Sequence, residues 1–219
     1  MRWFELALVL AIAFLRPLTG SIHIFMSGQE KFAGTSPLGW VFAAASDVLV
    51  IVLLGYVLAR SGRKFWDIGL RWSFADCGVG VALAVGALIV TAIGAGVIAV
   101  ALHELGISVS HTTNHYWGRG TFWTPWSFLY LLVTPAFEEL LVRAYLMTEL
   151  IELTGSTALS VVASTLFQAS YHIYYGWFGV TTVALIFVTF ALYFARYRRA
   201  LPCIVAHETY DLIATLFAR

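Results

Sequence analysis

Apolar residues run along the chain in seven long stretches, roughly 3–19, 38–59, 76–103, 122–151, 156–174, 178–196 and 200–217. A helix needs about 20 mostly apolar residues to cross a bilayer, and most of these stretches are that long or close to it. Polar intervals separate them. Residues 20–36 form a loop containing glycine, serine and proline, 60–75 could hold a short interfacial helix, and 104–121 is a polar loop with glycines. Lipid tolerates neither exposed irregular backbone nor an open sheet edge, so the pattern predicts an all-α fold. The expectation is a polytopic transmembrane helix bundle of about seven to eight spans, with residues 1–219 as a single integral membrane domain.

Composition strengthens that reading. Hydrophobic residues make up 60% of the chain and charged residues 11%, with a mean hydropathy of +0.84. Ordinary soluble domains carry about 25% charged residues, so this chain cannot cover a water-facing surface. The net charge of +1 and the lack of a basic tract argue against nucleic acid as a partner. Cys77 and Cys203 build neither a disulfide framework nor a C-x-x-C metal site. The first stretch resembles a signal peptide, but Glu5, Arg16 and the missing small-x-small cleavage site make a retained span the better reading. With seven spans, Arg2, the loop holding Arg60, Arg63, Lys64 and Arg71, and the loop holding Arg196, Arg198 and Arg199 all fall on one side. Lys31, Arg119 and Arg219 fall on the other, which predicts a cytoplasmic amino terminus. Gly78, Gly80, Gly86, Gly94 and Gly96 sit among alanines in 76–103 and predict close helix packing. No period repeats and the two halves show no matching broken helices, which disfavours an inverted-repeat transporter.

Ionisable groups inside apolar spans are costly and mark function. They are Glu5, Arg16, Asp47, Glu138, Glu139, Arg143, His172, His207, Glu208 and Asp211. In TPAFEELLVRAYL, residues 134–146, Pro135 predicts a kink or restart of the helix. Glu139 and Arg143 are four apart and share a face, whereas Glu138 points about 100° away. One carboxylate is thus expected to be anchored and the other free to act. STLFQASYHIYYG, residues 164–176, puts His172 on an apolar helix. In LPCIVAHETYDLI, residues 201–213, His207 and Asp211 are four apart, so the carboxylate could hold the imidazole by a hydrogen bond. Glu138 and His172 both lie about 22–24 Å from the turn near 152–155 and so match in depth. His207 lies only about 10 Å from that side, and Asp211 about 16 Å, unless the turn before them sits deep.

These three elements resemble the CPBP family of intramembrane proteases, which includes the CAAX prenyl endopeptidases and the bacterial Abi proteins linked to bacteriocin immunity. The pattern is E-E-x-x-x-R, then F-x-x-x-H, then H-x-x-x-N or H-x-x-x-D. EELLVR, from Glu138 to Arg143, and HETYD, from His207 to Asp211, match in full. The second element departs: Phe167 stands five residues before His172, and Gln168 occupies the Phe place. The resemblance covers about 122–217. It implies an intramembrane endopeptidase in which Glu138 activates a water for attack on a peptide carbonyl and His172 binds or orients that water. His207 and Asp211 stabilise the oxyanion, and Glu139 and Arg143 support the site. A dry site strengthens oxyanion stabilisation.

Members of the family are often called metalloproteases, and Glu138, His172 and His207 could hold a divalent metal such as Zn²⁺ with one open position. The chain lacks H-E-x-x-H, and the preferred reading is a glutamate-type mechanism that requires no cofactor. The implied partners are the lipid bilayer and a membrane-anchored peptide or protein, CAAX-like or a bacteriocin or sorting-signal precursor. The implied location is a bacterial inner membrane. Other readings compete: a non-catalytic membrane scaffold or immunity factor of the same fold, or a proton-coupled transporter using Glu138 and the histidines. Asp47 and Glu208 have no assigned role, His111 and His115 read as solvated loop residues, and Trp117, Trp123 and Trp126 fit an interfacial belt.

Overall fold

Every apolar stretch is largely helical in the computed structural model, which describes residues 2–27, 36–107 and 124–217. No strand occurs among the described residues. Helix α1 spans Arg2–Ser27, α2 Pro37–Arg60 and α3 Phe74–Glu104. A helical column then runs as α4 (Pro125–Glu138), a π-helical stretch (Glu139–Leu146) and α5 (Met147–Thr154). Helices α6 (Thr157–Ser170), α7 (Gly176–Tyr197) and α8 (Leu201–Phe217) follow. Four segments are long and apolar enough to cross a membrane by length and composition: Arg2–Ser27, Pro37–Arg60, Phe74–Glu104 and Ile173–Tyr197. His111, His115, Trp117 and Trp123 lie outside the described residues, as do Lys31, Arg119 and Arg219.

Helix α1 continues past residue 19, where the sequence predicted a loop. Pro17 removes one backbone donor yet lies inside the helix, and, two residues on, the Thr19 hydroxyl donates back to the carbonyls of Leu15 (2.8 Å) and Arg16 (3.2 Å). The extension also has a partner. Ser21 Oγ accepts from the Tyr174 amide at 3.1 Å, and Phe25 packs edge-on against Trp177. The interfacial helix expected in 60–75 shrinks to one 3-10 turn, Phe65–Ile68, closed by Gly69 in the left-handed region at φ 96°. A Cβ at Gly69 would lie 2.7 Å from the Arg198 carbonyl oxygen, so no other residue fits this turn without strain.

The glycines of α3 do not all serve one purpose. A Cβ at Gly80 would meet Val205 Cβ at 2.6 Å, and one at Gly94 would meet Leu185 at 2.7 Å, so these two permit close approach to α8 and α7. Gly78, Gly86 and Gly96 face open space.

One end of the bundle is tied by charge. Glu149 on α5 is buried and takes both Arg2 (2.8 Å) and Arg63, while Glu152 takes Arg2 at 2.5 Å and Arg63 at 3.3 Å. Arg198 donates to Thr148 Oγ1 at 2.9 Å, and Arg199 pairs with Asp76 at 2.5 Å. Basic groups from the start of α1, the α2–α3 loop and the α7–α8 turn are thereby gathered at one end.

Candidate active site

The paired glutamates sit where α4 gives way to the π-helical stretch, three and four residues after Pro135, which α4 holds within it without a break. A π-helix is uncommon and often marks a functional position, because its wider turn reorients successive side chains. Every residue from Glu139 to Leu146 is buried. The two carboxylates have different surroundings. Glu139 is fully buried. Arg143 Nε lies 3.5 Å from Glu139 Oε2, and His207 Nδ1 lies 3.1 Å from Glu139 Oε1. The Arg143 guanidinium is fully buried as well. It donates from Nη1 to Ser164 Oγ at 2.6 Å and rests over the Phe187 ring at 5.1 Å. Ser164 in turn donates to the Val142 carbonyl at 3.2 Å, closing α6 onto the π-helical stretch.

Glu138 is only partly buried and is held by neutral donors. Its Oε2 accepts from Gln168 Nε2 at 2.7 Å and from the Tyr171 hydroxyl at 2.9 Å. The two surroundings thus differ as the spacing led one to expect: Glu139 meets Arg143 and His207 directly, whereas the hydrogen bonds to Glu138 come from neutral donors. Tyr171 is fixed by an aromatic cluster, stacking on Phe14 of α1 at 4.8 Å while Phe14 meets Phe167 edge-on at 5.1 Å. Phe167, which stands next to the family's Phe place, thus serves packing.

His172 is not on a helix. Helix α6 ends at Ser170, and His172 lies in the turn that leads through Ile173–Tyr175 to Gly176, whose φ is 74°. The departure from expectation has a local cause: His172 Nδ1 lies 2.8 Å from the Gln168 carbonyl, so the imidazole caps the end of the helix that it was expected to continue. A carbonyl only accepts, so Nδ1 carries the proton and the neutral ring keeps Nε2 as an acceptor. Glu138 and His172 meet through Gln168, whose side chain holds one and whose backbone holds the other.

The depth conflict over His207 resolves in the α7–α8 turn. Ala200, Leu201 and Cys203 are buried, and the Ala200 amide donates to the Gly69 carbonyl at 2.9 Å. Arg198 makes the turn in the left-handed region at φ 53°. Because α8 starts below the bundle surface, His207 reaches the level of Glu139. The predicted His207–Asp211 hydrogen bond is absent: Nε2 and Asp211 Oδ2 are 3.7 Å apart, too far, since the ring is turned to Glu139 instead. Phe187 of α7 is the common wall, 5.7 Å from the His172 ring and 4.9 Å from the His207 ring.

Glu138, His172 and His207 do not form a metal site as they stand. Among the described residues no three His, Cys, Asp or Glu side chains converge to hold an ion. Asp47, left without a role by the sequence, accepts from Thr134 Oγ1 at 2.6 Å, one turn before Glu138.

The helices that carry this constellation also carry the family signature. Residues 120–213 match the family described as type II CAAX prenyl endopeptidase Rce1-like. This part of the chain is similar to that family. The match covers a little under half of the protein and includes Glu138, Glu139, Arg143, His172, His207 and Asp211. The family match and the apolar helices together support an integral membrane protein. No curated protein and no solved structure matches the chain.

Sequence reasoning missed three members of the site. Gln168 is a polar residue on an apolar helix, one turn before His172, and that was a usable signal. Tyr171 and Phe187 read like any aromatic core residue, and nothing in the sequence marks them.

Proposed function

We propose that this protein is an intramembrane endopeptidase of the glutamate type, acting on a membrane-anchored peptide, with CAAX-like tails or bacteriocin-type or sorting-signal precursors as the substrate classes. The observation that carries the proposal is the unequal treatment of the two adjacent carboxylates. Glu139 is neutralised by Arg143 and His207, while the partly exposed Glu138 is held by Gln168 and Tyr171 alone.

In the proposed reaction Glu138 takes a proton from a water whose other hydrogen is accepted by His172 Nε2. The water oxygen bonds to the peptide carbonyl carbon. The negative charge moves to the carbonyl oxygen, where a proton on His207 Nε2 stabilises it, the ring being held by Glu139 through Nδ1. Collapse of the adduct breaks the C–N bond, and Glu138 returns the proton to the leaving amine. Asp211 lies beside His207 Nε2 and favours a proton there. All seven apolar segments would cross the bilayer as one domain, with the amino terminus in the cytoplasm of a bacterial cell.

The test is cleavage of a library of membrane-anchored peptides by the purified protein and by Glu138→Gln, with and without a chelator. The expected result is cleavage that is lost in the variant and survives the chelator. Cleavage abolished by the chelator and restored by zinc would overturn the glutamate-type mechanism. Cleavage retained by Glu138→Gln would overturn the role of Glu138.

A further inference from the structure

We propose that Gln168 is a positioning residue for Glu138, fixing which carboxylate oxygen meets the water. The inference rests on Glu138 being the water-activating base and adds the group that aims it. A glutamate carboxylate turns easily about its last torsion, which has a broad, two-fold profile. Gln168 Nε2 at 2.7 Å and the Tyr171 hydroxyl at 2.9 Å both donate to Oε2, so that rotation is stopped and Oε1 becomes the oxygen left for chemistry. The orientation of the amide is settled by charge: its oxygen would be repelled by the carboxylate, so its nitrogen faces it.

A second, independent observation points the same way. Gln168 is completely buried, and its Oε1 has no hydrogen-bond partner. A buried orphan acceptor destabilises the fold, and an apolar side chain at this position would avoid it. What offsets that cost is the amide nitrogen, which donates to Glu138 Oε2.

The rest of Gln168 supports this task. Its backbone carbonyl holds His172 Nδ1 at 2.8 Å, so a single residue sets the base and the second water-binding group relative to each other. Ser164, four residues earlier on the same face of α6, holds Arg143 at 2.6 Å. That face of α6 therefore addresses both carboxylates, one through a serine and one through a glutamine.

The experiment uses the full chain in detergent and reads the infrared carboxyl and carboxylate bands of Glu138, identified as those lost in Glu138→Gln. Gln168→Leu, Gln168→Met and Tyr171→Phe are compared with the unmodified protein, and Met serves as the second variant should Leu disturb the fold. The expected result is that the Glu138 bands shift in each variant, and most in Gln168→Leu combined with Tyr171→Phe, while helicity and melting stay near the original. Bands that stay in place in both Gln168 variants would overturn the proposal. On a cleaved peptide, the Gln168 variants are expected to lose about 10- to 100-fold in kcat with KM within about twofold. A raised KM with kcat intact would make Gln168 a substrate contact instead and overturn its positioning role. Should no peptide be cleaved by the unmodified protein, the protease reading fails, while the infrared comparison still decides whether Gln168 holds Glu138.

Discussion

Replacing Gly80 by alanine tests how closely α8, and with it His207, must approach α3. The new Cβ would stand 2.6 Å from Val205 Cβ and 2.9 Å from the Pro202 carbonyl oxygen. Carbon atoms rest at about 3.5–4.0 Å, so α8 or α3 must move by about 1 Å. Neither obstacle is a flexible side-chain tip: one is the branch point of a valine and the other is backbone. Overpacking of this kind costs about 1–3 kcal/mol, and the alanine's better helix propensity returns roughly 0.5–1 kcal/mol. The net loss is about 0.5–2 kcal/mol, or a few degrees in Tm at about 2–4 °C per kcal/mol.

Activity should fall further than stability. Val205 is two residues from His207, and a displacement of about 1 Å at a reacting group can cost about 100-fold in rate. Two controls sit on the same helix. Gly86→Ala meets nothing within 4 Å and should be neutral or slightly stabilising. Gly94→Ala meets Leu185 Cδ1 at 2.7 Å, the far end of a side chain that can change rotamer, and should fall between the other two. Thermal unfolding in detergent and peptide cleavage measure the series. Equal melting temperatures for Gly80→Ala and Gly86→Ala would refute the close α3–α8 contact and the positioning of His207 that depends on it.

The buried charges make a second test. Arg143→Met leaves Glu139 with His207 alone and should destabilise by about 3–5 kcal/mol, whereas Arg143→Met with Glu139→Gln should cost clearly less than the sum of the single changes. Denaturant unfolding of the four proteins gives the coupling, and strict additivity would show that the pair does not interact. Gly69→Ala should cost about 1–3 kcal/mol, because alanine resists the left-handed backbone and its Cβ would strike the Arg198 carbonyl. A melting temperature equal to that of the unmodified protein would remove Gly69 from the support of the α7–α8 turn.

Much of the site was legible in the sequence because one helix places its residues by arithmetic. The contrast between Glu138 and Glu139 followed from their positions relative to Arg143, whereas no break falls at Pro135: α4 carries the proline within it and runs on into the π-helical stretch. The all-helical character followed from composition and from what lipid permits. What local spacing could not supply was the partner from another segment. His207 shares a helix with Asp211, yet it bonds Glu139, 68 residues away, because the turn before α8 is buried against Gly69. His172 reads as helical, yet it ends the helix, because its imidazole takes the Gln168 carbonyl. Helix α1 reads as ending near residue 19, yet it runs on to Ser27, where its last turns find Tyr174 and Trp177.

The chain by itself thus determined its solvent, its helices and the kinds of groups that could do chemistry. These follow from apolar length and from the cost of charge in lipid, both summed along the sequence. Only the tertiary structure decided which groups meet. Pairing across segments depends on how deep each turn sits and how closely the glycines let helices approach, and both are properties of the packed bundle.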